Sequence, residues 1–139
     1  MKALATVLCS LGFVLCFSSC SLQEKHNKNE AATTAYLTGK KTAPAAMNIE
    51  GVWYSPTWGL VVINQEANGK LTGLFQEDLH IRGVVTGKKA YLALIEDDWV
   101  EYTVELKRTA LDTLTGFYSE KTPFSESDQQ KLTLTRIDR

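Results

Sequence analysis

Trp99-Val100-Glu101-Tyr102-Thr103-Val104-Glu105-Leu106-Lys107 changes character at every step. Val100, Tyr102, Val104 and Leu106 fall on one side, and Glu101, Thr103 and Glu105 on the other. Successive side chains of a strand point to opposite faces, so this period belongs to a half-buried antiparallel strand. Just upstream, Leu79, Ile81 and Val85 share a face while His80 and Arg82 point away. Outward from these two runs, 79–86 and 99–107, similar short runs occupy 51–54, 59–66, 71–76, 90–96, 113–119 and 131–137.

The connections are short. Asn68-Gly69 and Gly87-Lys88 are hairpin signals, because Asn and Gly tolerate positive φ. Glu96-Asp97-Asp98 and Ala110-Leu111-Asp112 read as polar or longer turns, and 120–130, with Pro123 and Phe124, as the one sizeable loop. Strands joined by hairpins, with no helical period from residue 49 onward, predict an all-β fold. An open sheet of this kind would leave long unpaired edges, so closure is expected. The expectation is a small antiparallel up-and-down β-barrel of about eight strands over 49–139. At that strand number the interior holds packed side chains or one small ligand. Leu71-Thr72-Gly73-Leu74-Phe75 is echoed by Leu114-Thr115-Gly116-Phe117-Tyr118, and a glycine inside each strand permits sharp coiling.

The other end of the chain reads as an address. Lys2 precedes a nearly unbroken apolar stretch, 3–17, too short to span a membrane comfortably but right for a secretion signal. Phe17-Ser18-Ser19-Cys20 follows, and it resembles the lipobox of bacterial lipoproteins, with Phe17 where the family usually carries Leu. The resemblance implies removal of 1–19 as a signal peptide and acylation of Cys20, which anchors the chain to a membrane of the bacterial cell envelope. Cleavage nearby by an ordinary signal peptidase, or retention as an uncleaved anchor, are the alternatives. Ser21 stands where Asp often signals inner-membrane retention, which favours the outer membrane in a Gram-negative host. Two or more acyl chains hold a protein stably where one does not. Residues 21–48 show neither the helical nor the strand period, so 20–48 reads as a lipidated flexible tether.

Chemistry is sparse. The full chain of 139 residues carries 15 Lys plus Arg against 16 Asp plus Glu, a formal net charge of −1, with a 44% apolar share that suits one domain. No basic excess marks a nucleic-acid binder. With Cys9 and Cys16 in the signal and Cys20 alkylated, no thiol remains for a disulfide, metal site or nucleophile. His80 is the only histidine of the barrel region, and no Gly-rich phosphate loop occurs. No catalytic residue, metal or cofactor is therefore expected, and the protein reads as a non-enzyme.

Gly51-Val52-Trp53 resembles the G-x-W motif of the calycins, the barrel superfamily of lipocalins and avidins, and Arg136 matches their basic residue near the C-terminus. The resemblance implies that Arg136 packs across Trp53 and closes the barrel beside Gly51. The order Gly51-Val52-Trp53-Tyr54, then Gly59, then Asn68-Gly69-Lys70-Leu71-Thr72-Gly73 is most similar to avidins. Ser55 stands at the place of a polar ligand contact there. Leu60, Phe75 and Glu77 replace the other ligand-binding groups, so biotin binding is not expected. Tyr54, Ser55, Trp58, Trp99 and Phe124 are the candidate ligand or partner contacts, because strand-end aromatics sit near a barrel mouth. The expected function is a lipid-anchored envelope protein used for surface protein recognition or a structural role. A small apolar or amphipathic ligand inside the barrel is the alternative.

Overall fold

The computed structural model describes residues 30–120 and 128–138. Its strands are β1 (Gly51–Ser55), β2 (Gly59–Gln65), β3 (Lys70–Phe75), β4 (Leu79–Thr86), β5 (Lys89–Glu96), β6 (Trp99–Ala110), β7 (Thr113–Ser119) and β8 (Gln130–Arg136). Each strand pairs antiparallel with the next, and β8 returns to β1 through Trp53↔Arg136 and Tyr54↔Thr135. The eight-stranded sheet is thus a closed barrel, as the alternation predicts, and it is compatible with a calycin-like fold.

Alternation decides the core. Trp53, Val61, Ile63, Leu71, Phe75, Leu79, Ile81, Val85, Leu92, Leu94, Val104, Leu106, Leu114, Leu132 and Leu134 belong to one buried apolar cluster. Gly73 and Gly116, the two echoed glycines, sit where strands come very close. A Cβ on them would run into the carbonyl oxygens of Val62 and Glu105 on the neighbouring strands.

One side chain departs from the simple pattern. Val100 is expected beside Tyr102 on the inner face, but the register of β5 and β6 shifts between Leu94 and Ile95. Leu94 faces Tyr102 and Ile95 faces Val100, which leaves Val100 outside the core cluster. A β-bulge adds one residue on one strand and so turns the residues beyond it to the other face.

The tether expected over 20–48 is corrected from residue 30 onward; 20–29 lie outside the described residues, as does the signal segment 1–19. Residues 30–40 form a helix, α1, whose less exposed positions are Ala32, Thr33, Tyr36, Leu37 and Lys40. That spacing marks one helical face, and it lies on the outer wall of β4, β5 and β6. Glu30 pairs with Arg82 at 2.8 Å, and Tyr36 meets Tyr91 edge-on at 6.4 Å. The wall beneath is buried although it faces outward: Tyr91, Ala93 and Thr103 are at most 8% exposed. Lys40 Nζ stands 5.0 Å from the Tyr91 ring centroid.

After α1 the chain crosses one end of the barrel. Ala45 bridges to Gly87, and the amides of Ala46 and Gly87 donate to Gly87 and Pro44 carbonyls. Ala45, Met47 and Ile49 alternate inward against the core. Gln65 clamps this strap: its Oε1 accepts from the Ile49 amide at 2.9 Å and its Nε2 donates to the Met47 carbonyl at 2.9 Å. The ordering entropy of the strap is offset by burial of Ile49 and by these bonds.

Candidate functional site

Up-and-down connectivity sends alternate turns to opposite ends of the barrel. At one end, Ile49, the strap and the last residue of β8 meet the first strand. Arg136 lies over the indole of Trp53, with Cζ 4.5 Å from the ring centroid, and its Nη1 reaches Asp138 Oδ1 at 3.3 Å. Trp53 is fully buried, and its Nε1 donates to the Ile49 carbonyl at 3.0 Å. Gly51 has φ +146°, and a Cβ on it would collide with the Arg136 guanidinium. Gly51, Trp53 and Arg136 are therefore brought together as one contact set.

The opposite end collects the turns 56–58, 76–78 and 97–98 and the start of the loop after β7. Ser55 is 1% exposed, and its Oγ accepts from the Thr57 and Trp58 amides at 3.3 and 3.2 Å. This turn swings Trp58 over the barrel mouth. The Trp58 ring meets Phe75, Tyr102 and Tyr118 at centroid distances of 5.5, 4.9 and 5.1 Å, each near perpendicular. Tyr118 Oη donates to Gln130 Oε1 at 2.7 Å. Edge-to-face pairs contribute about 0.5–1.5 kcal/mol each beyond burial. Trp58 Nε1 is buried without a hydrogen-bond partner among the described residues.

Around this plug the exposed acidic residues are Glu77, Asp78, Glu96, Asp97, Asp98, Glu101 and Glu120. The described residues of these turns include no Lys or Arg. Burial pushes the Tyr102 phenol up, and the charges of Glu120 and Glu101 add to the shift. Gln76, Asp97 and Asp98 take positive φ at 59°, 48° and 65° in the tight hairpins. A surface cavity of about 400 Å3 beside the plug is lined by Trp58, Gly59, Leu60, Gln76, Glu77 and Asp78.

The five candidate contacts separate. Trp58 and Ser55 build the plug. Trp99 begins β6 at the same end, half-buried, opposite Glu96. Tyr54 points outward from β1 and is 47% exposed. Phe124 lies outside the described residues, as does Cys20. His80 stands exposed on the outer face of β4. Among the described residues, no group of three or more His, Cys, Asp or Glu is placed to hold a metal ion, and no helix is long and apolar enough to cross a membrane.

Sequence reasoning missed the acidic end as a unit. Each turn reads separately as a polar hairpin, and their charges meet only when the hairpins lie side by side in the sheet. The signal was present in the connectivity, since every second turn of an up-and-down barrel shares an end. Comparison of the chain with models of protein families, with curated proteins and with solved structures found no match.

Proposed function

We propose that the protein is a lipoprotein of the bacterial cell envelope, anchored through acyl chains on Cys20, whose barrel is a recognition module and not an enzyme. The partner it fits is a basic protein, met at the acidic, ring-plugged end. The observation that carries this reading is the filled interior: Trp58 covers one mouth, and the strap with Arg136 over Trp53 covers the other. A barrel occupied by its own side chains offers its outer surface to partners, which favours recognition over an interior apolar ligand. The carboxylates around Trp58 supply the steering field and the aromatic rim the contact chemistry.

Two measurements test the reading. Cys20→Ala is expected to release the protein from membranes on fractionation and to abolish a lipid-sized mass increment; continued pelleting overturns the anchor. Capture from envelope extract is then compared between the native chain and one carrying Glu77→Gln, Asp78→Asn, Asp97→Asn and Asp98→Asn. A basic protein retained by the first and lost by the second supports recognition at this end. Identical profiles overturn it.

A further inference from the structure

The barrel wall has two unlike halves. One half, β4 to β6, lies under α1, with Arg82, Tyr91, Ala93 and Thr103 buried or paired there. The other half is bare. The outward side chains of β8, β1, β2 and β3 from Thr133 to Leu74 include no charge: Thr133, Thr135, Val52, Tyr54, Leu60, Val62, Asn64, Thr72 and Leu74. Cross-strand pairing puts Val52, Val62 and Leu74 in one row and Tyr54 beside Leu60 in the next. Ile137 adds to the row, its amide donating to the Val52 carbonyl at 2.9 Å. Charges return only at the borders, with Glu50, Glu66, Lys70 and Lys131.

We propose that this β8–β1–β2–β3 wall rests against a lipid surface, so that the anchored barrel lies on its side on the membrane. The inference rests on the anchor at Cys20 proposed above and deepens it. Three observations favour a bilayer as the occupant. First, Tyr54, Leu60, Leu74 and Ile137 are 47%, 51%, 36% and 54% exposed. Together these side chains present roughly 400 Å2, the size of the largest apolar patch on an ordinary monomer, which is often functional. That is about half of the ~800 Å2 each partner gives to a stable protein interface. A second copy would therefore be held weakly, whereas a chain already fixed to the bilayer needs little further area to settle on it.

Second, the tether emerges beside this wall. Glu30 lies 2.8 Å from Arg82 of β4, and Arg82 pairs with Thr72 at the border of the bare half. The ten residues from Cys20 to Glu30 can reach at most ~35 Å, so an acylated Cys20 keeps the bare wall within reach of the lipid. Third, the wall sets Tyr54 among aliphatic and uncharged polar side chains, with no ionised group in its centre. Such a face has no charge to desolvate against lipid and offers none to pair with a charged protein.

The mature chain offers a clean probe, because acylation of Cys20 leaves no other thiol. Leu60→Cys on β2 and Lys107→Cys on the diametrically opposite β6 are each made in the full lipidated chain. Each is labelled with an environment-sensitive fluorophore and reconstituted into vesicles of phosphatidylethanolamine and phosphatidylglycerol. The Leu60 label is expected to shift to the blue and to be quenched several-fold more than the Lys107 label by acyl-chain bromines. Equal quenching at both sites, or none at Leu60 in protein that still floats with the vesicles, overturns the proposal while leaving the anchor intact. Self-quenching at Leu60 that grows with protein density, without lipid quenching, assigns the wall to a second copy instead. Protein that does not float removes the anchor, and the docking falls with it.

Discussion

Arg136, the last residue of β8, stacks its guanidinium on Trp53 of β1, with Cζ 4.5 Å from the ring centroid, and so joins the two ends of the barrel sequence in one contact. The Cα atoms of these residues are also register partners across the closing seam. The seam shows only two register pairs, so the side-chain contact adds to a short ladder.

Removing that contact is expected to loosen closure. A cation on an indole face contributes about 0.5–2 kcal/mol, and each ~1 kcal/mol moves the melting temperature by about 4–8 °C in a domain of this size. Arg136→Ala is therefore expected to lower the melting temperature by several degrees in thermal unfolding followed by near-UV circular dichroism. Arg136→Lys, which keeps charge without the planar stack, falls between. An unchanged melting temperature in Arg136→Ala would remove the contact from the account of closure.

Trp58→Ala is expected to cost about 3–5 kcal/mol, the range for deleting a large aromatic that leaves a cavity. Trp58→Phe retains a ring against Phe75, Tyr102 and Tyr118 and costs less. Urea unfolding gives both values, with an unchanged slope as the check that only the folded packing was altered. A loss below about 1 kcal/mol for Trp58→Ala would mean that the mouth collapses easily without the plug.

The helix α1 is held by a few contacts, and Tyr36 is the largest of its packed side chains. Tyr36→Ala is expected to raise the rate of tryptic cleavage at Lys40 and Lys41 several-fold. Glu30→Gln is expected to change it little, because the Arg82–Glu30 pair leaves its side chains 41% and 48% exposed and such pairs contribute about 0–1 kcal/mol. Equal cleavage of all three chains would show that the rings do not hold the helix.

Alkaline titration reads the same contact. Burial, with Glu105 and Tyr91 adding to it, raises the Tyr36 phenol above its ordinary value of 10.0. Burial likewise raises Tyr102 above 10.0. Both phenols are neutral when protonated, and the unfolded chain releases their protons first. Their contribution is therefore fully present below pH 10.0 and is lost as pH rises toward the folded values. Unfolding free energy is expected to fall above that pH, and Tyr36→Phe to flatten the fall. Phenolate absorbance of Tyr36, isolated as the difference between the two chains, should develop only above pH 10.0.

The strands were legible because their signal is local. Leu79-His80-Ile81-Arg82 and Val100 to Leu106 alternate within a few residues, and Asn68-Gly69 and Gly87 mark turns whose φ of 85° and 55° at the glycines needs no side chain's consent. The helix was not legible in the same way. Its inner face is Ala32, Thr33, Tyr36, Leu37 and Lys40, too poor in large apolar groups to stand out as a period. Tyr91, Ala93 and Thr103, far along the chain, make that face worth burying.

The order of apolar and polar residues by itself determined eight strands, their hairpins and an inward set of side chains, because strand alternation depends only on neighbours in sequence. Tertiary structure alone decided four things: the shift that turned Val100 away, the seating of 30–48 on the barrel, the gathering of Glu77, Asp78, Asp97 and Asp98 at one mouth, and the bare uncharged wall opposite α1. Each of these depends on strand pairing, register or packing between segments distant in sequence, so no local pattern could carry them.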